Sequence, residues 1–129
     1  MSFPHSATLR LFGDIPDLED ISVHLGLQPT YTHRKDDKPR STSEQFGHDM
    51  WAYSPSLHES EPLAKHIDEL WEKLRPHKEY LLGLRKSVIV DVFLDYRSNC
   101  DHGGVEVPHT SLEMFLELKI PFGLSIIVV

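Results

Sequence analysis

Between Ser87 and Ser98 (SVIVDVFLDYRS) apolar and mixed positions alternate with period two. Val88, Val90, Val92, Leu94 and Tyr96 fall on one side of a pleated strand. Ile89, Asp91, Phe93, Asp95 and Arg97 fall on the other. β-branched and aromatic residues dominate, as a strand requires. The first side is apolar throughout and has to lie against a core. The second carries two carboxylates beside Ile89 and Phe93 and is only half suited to burial. The same alternation predicts a strand over Ser6–Gly13, with Ala7, Leu9 and Leu11 on one face and Thr8, Arg10 and Phe12 on the other. Met50–Tyr53 predicts a third strand, and Phe122, Leu124, Ile126 and Val128 a last one. Tyr31 and Thr32 suit an extended segment, and Val105 and Val107 a short edge strand before Pro108.

Helical spacing separates these strands. Asp17 is placed to cap a short helix whose Leu18, Ile21 and Leu25 form one stripe, ended by Gly26. Ser60, Glu61 and Pro62 read as the start of a longer helix, with Leu63, Ile67, Leu70 and Leu74 on one face and Trp71 widening it. Pro76 breaks that helix, because it removes a donor and clashes with the preceding turn. Tyr80, Leu81 and Leu84 form a further apolar stripe. Thr110 with Glu113 has capping-box spacing and opens a last helix with Leu112, Phe115 and Leu116 turned inward. Interleaved strands and helices in two halves of similar plan predict an α+β fold. The plan resembles a ferredoxin-like sandwich, a mostly antiparallel sheet with helices on one face.

Composition narrows the function classes. A chain of 129 residues, 40% hydrophobic and 26% charged, suits one globular domain over residues 1–129. Its net charge of −7 argues against nucleic acid or an anionic membrane as partner, since both need a positive field. Cys100 is the sole cysteine, so no intramolecular disulfide forms, which fits a reducing compartment. The opening MSFPHSATLR lacks the basic and apolar regions of a signal peptide. The longest apolar run, Ile126–Val129, is far below the roughly 20 residues of a membrane span. A cytoplasmic protein is expected.

The segments TLRLFGD (Thr8–Asp14), LGLQPT (Leu25–Thr30), THRKDD (Thr32–Asp37), MWAYS (Met50–Ser54) and the closing SLEMFLELKIPFGLSI carry a resemblance in their order and spacing. Together they resemble the bacterial family catalogued as domain of unknown function 4279, over nearly the whole chain. The family's pattern has a glycine after its Arg-Lys pair, where this chain has Asp36. The resemblance implies a small single-domain α+β protein of bacterial type, and no reaction.

Candidate chemistry is sparse. Asp91 and Asp95 share a strand face but lie about 13 Å apart along it, too far for a carboxylate dyad. A structural pairing of Arg10 with one of them is favoured over a ligand site. The nine histidines show no metal-ligand spacing, and Cys100 beside His102 makes a poor nucleophile without a further base. Arg34, Lys35, Lys38 and Arg40 form a basic segment diluted by Asp36 and Asp37, better read as a solvated loop than as a phosphate site. No cofactor and no metal is expected.

The sharper feature is the second sheet face, where Thr8, Arg10, Phe12, Ile89, Asp91, Phe93, Ser125 and Ile127 gather, with Trp51 or Tyr53 as further candidates. Such a mixture of aromatic, arginine and apolar residues suits a protein interface. A loop over Thr30–Gly47 is the alternative roof for this face. The expectation is a non-catalytic domain that binds another protein or a second copy of itself as a homodimer. Its binding residues are Arg10, Phe12, Trp51, Asp91, Phe93 and Asp95, with Arg34 from the basic segment. The alternative is a small-molecule binder or small enzyme with a pocket on this face, built around Arg10, Asp91, Asp95 and Trp51.

Overall fold

The computed structural model describes residues 5–39, 44–98 and 105–128. Arg40, Cys100 and His102, singled out in the sequence, lie outside the described residues. Five strands form one sheet: β1 (Ser6–Gly13), β2 (Tyr31–His33), β3 (Asp49–Tyr53), β4 (Ile89–Ser98) and β5 (Phe122–Val128), in the order β2-β3-β1-β4-β5. The helices are α1 (Leu18–Leu25), α2 (Leu63–Leu74), α3 (Lys78–Leu84) and α4 (Glu113–Leu118). β1 is antiparallel to both β3 and β4, and β2 is antiparallel to β3. β1 and β2 therefore run parallel with β3 between them, and β3 and β4 run parallel with β1 between them. Each is a split β–α–β crossover, through α1 in the first case and α2–α3 in the second. β5 has no place in a four-stranded ferredoxin-like plan. It returns through α4 to lie parallel to β4.

The expected α+β class holds, with a mostly antiparallel sheet and its helices on one side. The apolar face of the sheet, with Ala7, Leu9, Leu11, Trp51, Val88, Val90, Val92 and Leu94, is buried against the stripes of all four helices. From α2 come Leu63, Ile67, Leu70, Trp71 and Leu74, the residues its spacing predicts. Cutting one of these to alanine costs about 2–5 kcal/mol. Asp17 caps α1 by accepting from the Glu19 N–H, and Gly26 ends it with φ 65°, the left-handed turn that glycine adopts without steric cost. Pro76 sits in a 3₁₀ turn, Arg75–His77, between α2 and α3, as its missing donor requires.

Two helix starts differ from their expected positions. Pro62, not Ser60, precedes α2, and no side chain caps it; the Ser60 hydroxyl bonds His58 Nδ1 instead, at 2.6 Å. Thr110 lies inside a 3₁₀ turn, His109–Leu112, so no capping box forms before α4. The buried side of α4 is Met114, Phe115 and Leu118, while Leu116 points to solvent. Val105 and Val107 belong to no strand.

Candidate protein-contact site

The register of the sheet decides which side chains share its second face. Arg10 stands directly opposite Asp91, Phe12 opposite Ile89, and Thr8 opposite Phe93. On the other side of β1, Arg10 faces Ala52 and Phe12 faces Met50. Residues paired in this way point to the same side of the sheet. Met50 and Ala52 are thus the contributions of β3. Trp51 and Tyr53 point the other way. Trp51 is fully buried beneath the helices, where its Nε1 donates to Ser22 Oγ at 3.0 Å. It therefore belongs to the core and lies away from the second sheet face, which corrects its place among the expected binding residues.

At the centre of the face Arg10 makes a two-pronged pair with Asp91: Nε donates to Oδ1 at 2.8 Å and Nη2 to Oδ2 at 2.7 Å. The guanidinium also lies 4.9 Å from the Phe93 ring centre and 5.7 Å from that of Phe12. The bond to Asp91 raises the arginine's already high pKa. The four expected residues Arg10, Phe12, Asp91 and Phe93 therefore form one connected unit. Asp95 stands apart from it, with Oδ2 3.7 Å from Arg97 Nη2 on its own strand. The Phe93 ring lies over Gly123 of β5, where a Cβ would stand 3.3 Å from Phe93 Cδ2. Glycine there lets the ring lie flat across the neighbouring strand. Ile89, at 57% exposure, stands out to solvent beside this unit.

The β2–β3 side of the same face is roofed. His33 pairs in register with Met50, so it points to this face, and it is buried. Phe46 stacks on its ring with centroids 3.7 Å apart, and His48 stands edge-on to it and reaches the Phe12 ring at 5.8 Å. The Tyr31 hydroxyl bonds His33 Nδ1 at 2.6 Å. Burial, and after it the neighbouring His48, lower the pKa of His33, against the pull of Asp37 and Asp49.

Arg34 belongs to the fastening of this roof. The buried Asp49 accepts from the Ile15 N–H at 2.9 Å and the Lys35 N–H at 2.8 Å, and Arg34 Nε stands 3.4 Å from its Oδ1. The bond from Ile15 leads in holding this carboxyl below its usual pKa, helped by Lys35 and Arg34 and opposed by burial. Arg34 Nη1 also donates to the Ile15 carbonyl at 3.0 Å. Asp37 accepts from the Arg34 N–H at 2.8 Å, and Lys35 Nζ lies 3.9 Å from Asp14. Each basic group of Arg34-Lys35 thus has an acidic counterpart, and Arg34 does not reach the Arg10 unit. Asp36 has an ordinary negative φ, so the turn makes no demand for glycine there.

A cavity of about 610 Å³ opens on the roofed half, lined by Tyr31, His33, Asp37, Lys38 and Phe46. Others of about 510 Å³, lined by Leu57, Lys65, Asp68, Glu69 and Glu72, and of about 440 Å³, lined by His5, Leu63, Tyr96, Val105 and Pro108, open elsewhere. Arg10, Asp91, Asp95 and Trp51 line none of these three. Among the described residues no three histidine, cysteine, aspartate or glutamate side chains gather as a metal site, and no helix is long and apolar enough to cross a membrane.

A model of one protein family, described as a domain of unknown function, DUF4279, matches residues 3–129. The chain belongs to the DUF4279 family. No curated protein and no solved structure matches it. In this DUF4279 chain the segments that carried the resemblance are the central strand β1, the end of α1, the β2 turn, β3 and the closing α4–β5. The β2 turn and β3 meet at Asp49. Sequence reasoning missed Asp49 and His33: an aspartate before Met50 and a histidine in a charged loop give no periodic signal of burial.

Proposed function

We propose that this DUF4279 domain works without catalysis, by binding another protein on the unroofed half of its second sheet face. The observation that supports this reading is the Arg10–Asp91–Phe93 unit. It is a fixed, charge-balanced arginine flanked by aromatic rings, with exposed Ile89 beside it and, among the described residues, no helix above. Arginine and aromatic anchors of this kind dominate protein contacts, because they are rigid and lose little freedom on binding. A charge already paired on its own surface also costs less to cover than a lone one. The rival reading, a small-molecule pocket around Arg10, Asp91, Asp95 and Trp51, loses its aromatic wall to the core.

The test is a photoreactive phenylalanine placed at Ile89 and, separately, at Val23, which is 71% exposed on α1. Irradiation in the cells that make the protein is expected to yield a protein adduct from position 89 and none from 23. Adducts from 23 alone, or none from either, contradict the proposal.

A further inference from the structure

The two edges of the sheet are finished differently. β2 has three residues and runs straight into Arg34-Lys35-Asp36-Asp37-Lys38, so charge and brevity close that edge. β5 has seven residues, with neither a charged residue nor a proline in FGLSIIV, and among the described residues nothing pairs with its outer side. Phe122, Leu124 and Ile126 are 46%, 44% and 57% exposed. Among the described residues none of the usual protections of an edge strand is present.

The main chain shows which groups are unspent. The Val92 N–H donates to the Pro121 carbonyl at 3.3 Å, and Val92 pairs in register with Phe122. In a parallel ladder this turns the odd-numbered N–H and C=O groups of β5 toward β4 and the even-numbered ones outward. Phe122, Leu124 and Ile126 therefore present both donor and acceptor to the open edge.

We infer that this edge is closed by β5 of a second copy, running antiparallel about a twofold axis at Ser125. Three features select that occupant. First, the axis sets Leu124 against Ile126 on one face, so apolar positions meet apolar ones, and on the other sets Ser125 against itself and Gly123 against Ile127, so no two bulky side chains collide. Second, the outward-facing groups of Leu124 and Ile126 then fall in the closely hydrogen-bonded pairs of an antiparallel ladder. Third, a chain of net charge −7 repels its copy over most of its surface, and β5 brings no ionisable side chain to the contact. The product is a continuous ten-stranded sheet, β2-β3-β1-β4-β5 followed by its mirror order. The two Arg10–Asp91–Phe93 units lie on the same side of it. The pairing uses the strand edge and does not depend on the proposed use of the open face.

Light scattering on the full chain after size exclusion tests it. The expected mass is twice that of one chain. Leu124→Pro removes an outward N–H without touching the β4 ladder, and Ile126→Lys sets two cations close across the axis. Each is expected to halve the mass while the far-ultraviolet circular dichroism stays that of the wild type. Ile89→Ser, on the open face and clear of the β5 ladder, is expected to leave the doubled mass unchanged. If Leu124→Pro fails to fold, Ile126→Lys decides. A wild-type chain of single mass at 100 µM overturns the inference. So does a dimer that survives the folded edge variants, or one that Ile89→Ser dissolves.

Discussion

One face of this sheet is built in two ways. On its β2–β3 side the chain folds back over itself: Phe46 covers His33, and Asp49 ties the Ile15 and Lys35 main chain together from beneath. On its β4 side the side chains are just as ordered but nothing in the described chain lies above them. Arg10 is held by Asp91 and Phe93, and Ile89 stands clear. The difference separates two uses of charge. Asp49 spends its acceptors on buried main-chain donors, which is how a carboxylate stabilises a loop. The Arg10–Asp91 pair keeps part of its surface open, with 32% of the arginine and 14% of the aspartate side chain exposed, on the face proposed to bind. The first arrangement should matter to stability and the second to binding.

Substitution of Asp49 separates them most strongly. Asp49→Ala leaves two main-chain donors without an acceptor and is expected to cost about 3 kcal/mol, read as a lower urea midpoint at unchanged slope. A loss below about 1 kcal/mol would mean that the roof is held some other way. On the open half, Arg10→Ala and Phe93→Ala should each cost only about 1 kcal/mol, because the pair and the ring contact are partly solvated. Both are nevertheless expected to abolish the adduct at position 89. A variant that keeps the adduct, or loses it only by unfolding, erases the contrast.

Acid should act first on the two buried histidines, His33 in the roofed half and His66 on α2 beneath the other face. The folded pKa of His33 lies below that of an unfolded histidine, about 6.5, and so does that of His66, which burial and the nearby His5 both depress. Such a group binds fewer protons folded than unfolded. Its contribution is intact above the unfolded value and is lost as pH falls through the folded one. The melting temperature is therefore expected to drop from pH 7 to pH 5, and to drop less in His66→Gln. Asp49, whose folded pKa is also depressed, keeps its contribution until pH falls below the unfolded carboxylate value, about 4. A flat melting profile from pH 7 to 5 would remove the histidines from the account. The smallest change is expected at Val23→Ser on α1, within about 0.5 kcal/mol and with no effect on the adduct.

Most of the frame was legible because it is periodic. β1 starts and ends where its alternation predicts, and the stripes of α1 and α2 are the buried ones. That Arg10 would pair with Asp91 or Asp95 followed from placing two strands side by side, and the register then selected Asp91. What failed was what periodicity cannot encode. Whether Trp51 points up or down depends on pairing register, and a slip of one residue exchanges the faces. The short α4 offers two candidate apolar sides, and tertiary packing chose Met114, Phe115 and Leu118 over Leu116. Asp49 and His33 were invisible because burial of a polar side chain depends on distant partners. The exposed β5 reads in sequence like any buried strand, and only the sheet order reveals that it is an edge.

Exchanging the central charges, Arg10→Asp with Asp91→Arg, asks most directly whether the open half of the face is a contact surface. The pair is retained with its polarity reversed, so the fold should keep its stability to within about 1 kcal/mol. With the photoreactive group at position 89, the adduct is expected to disappear from this folded double variant. An adduct at wild-type level would show that the pair only fastens two strands, and that binding, if it occurs, is elsewhere.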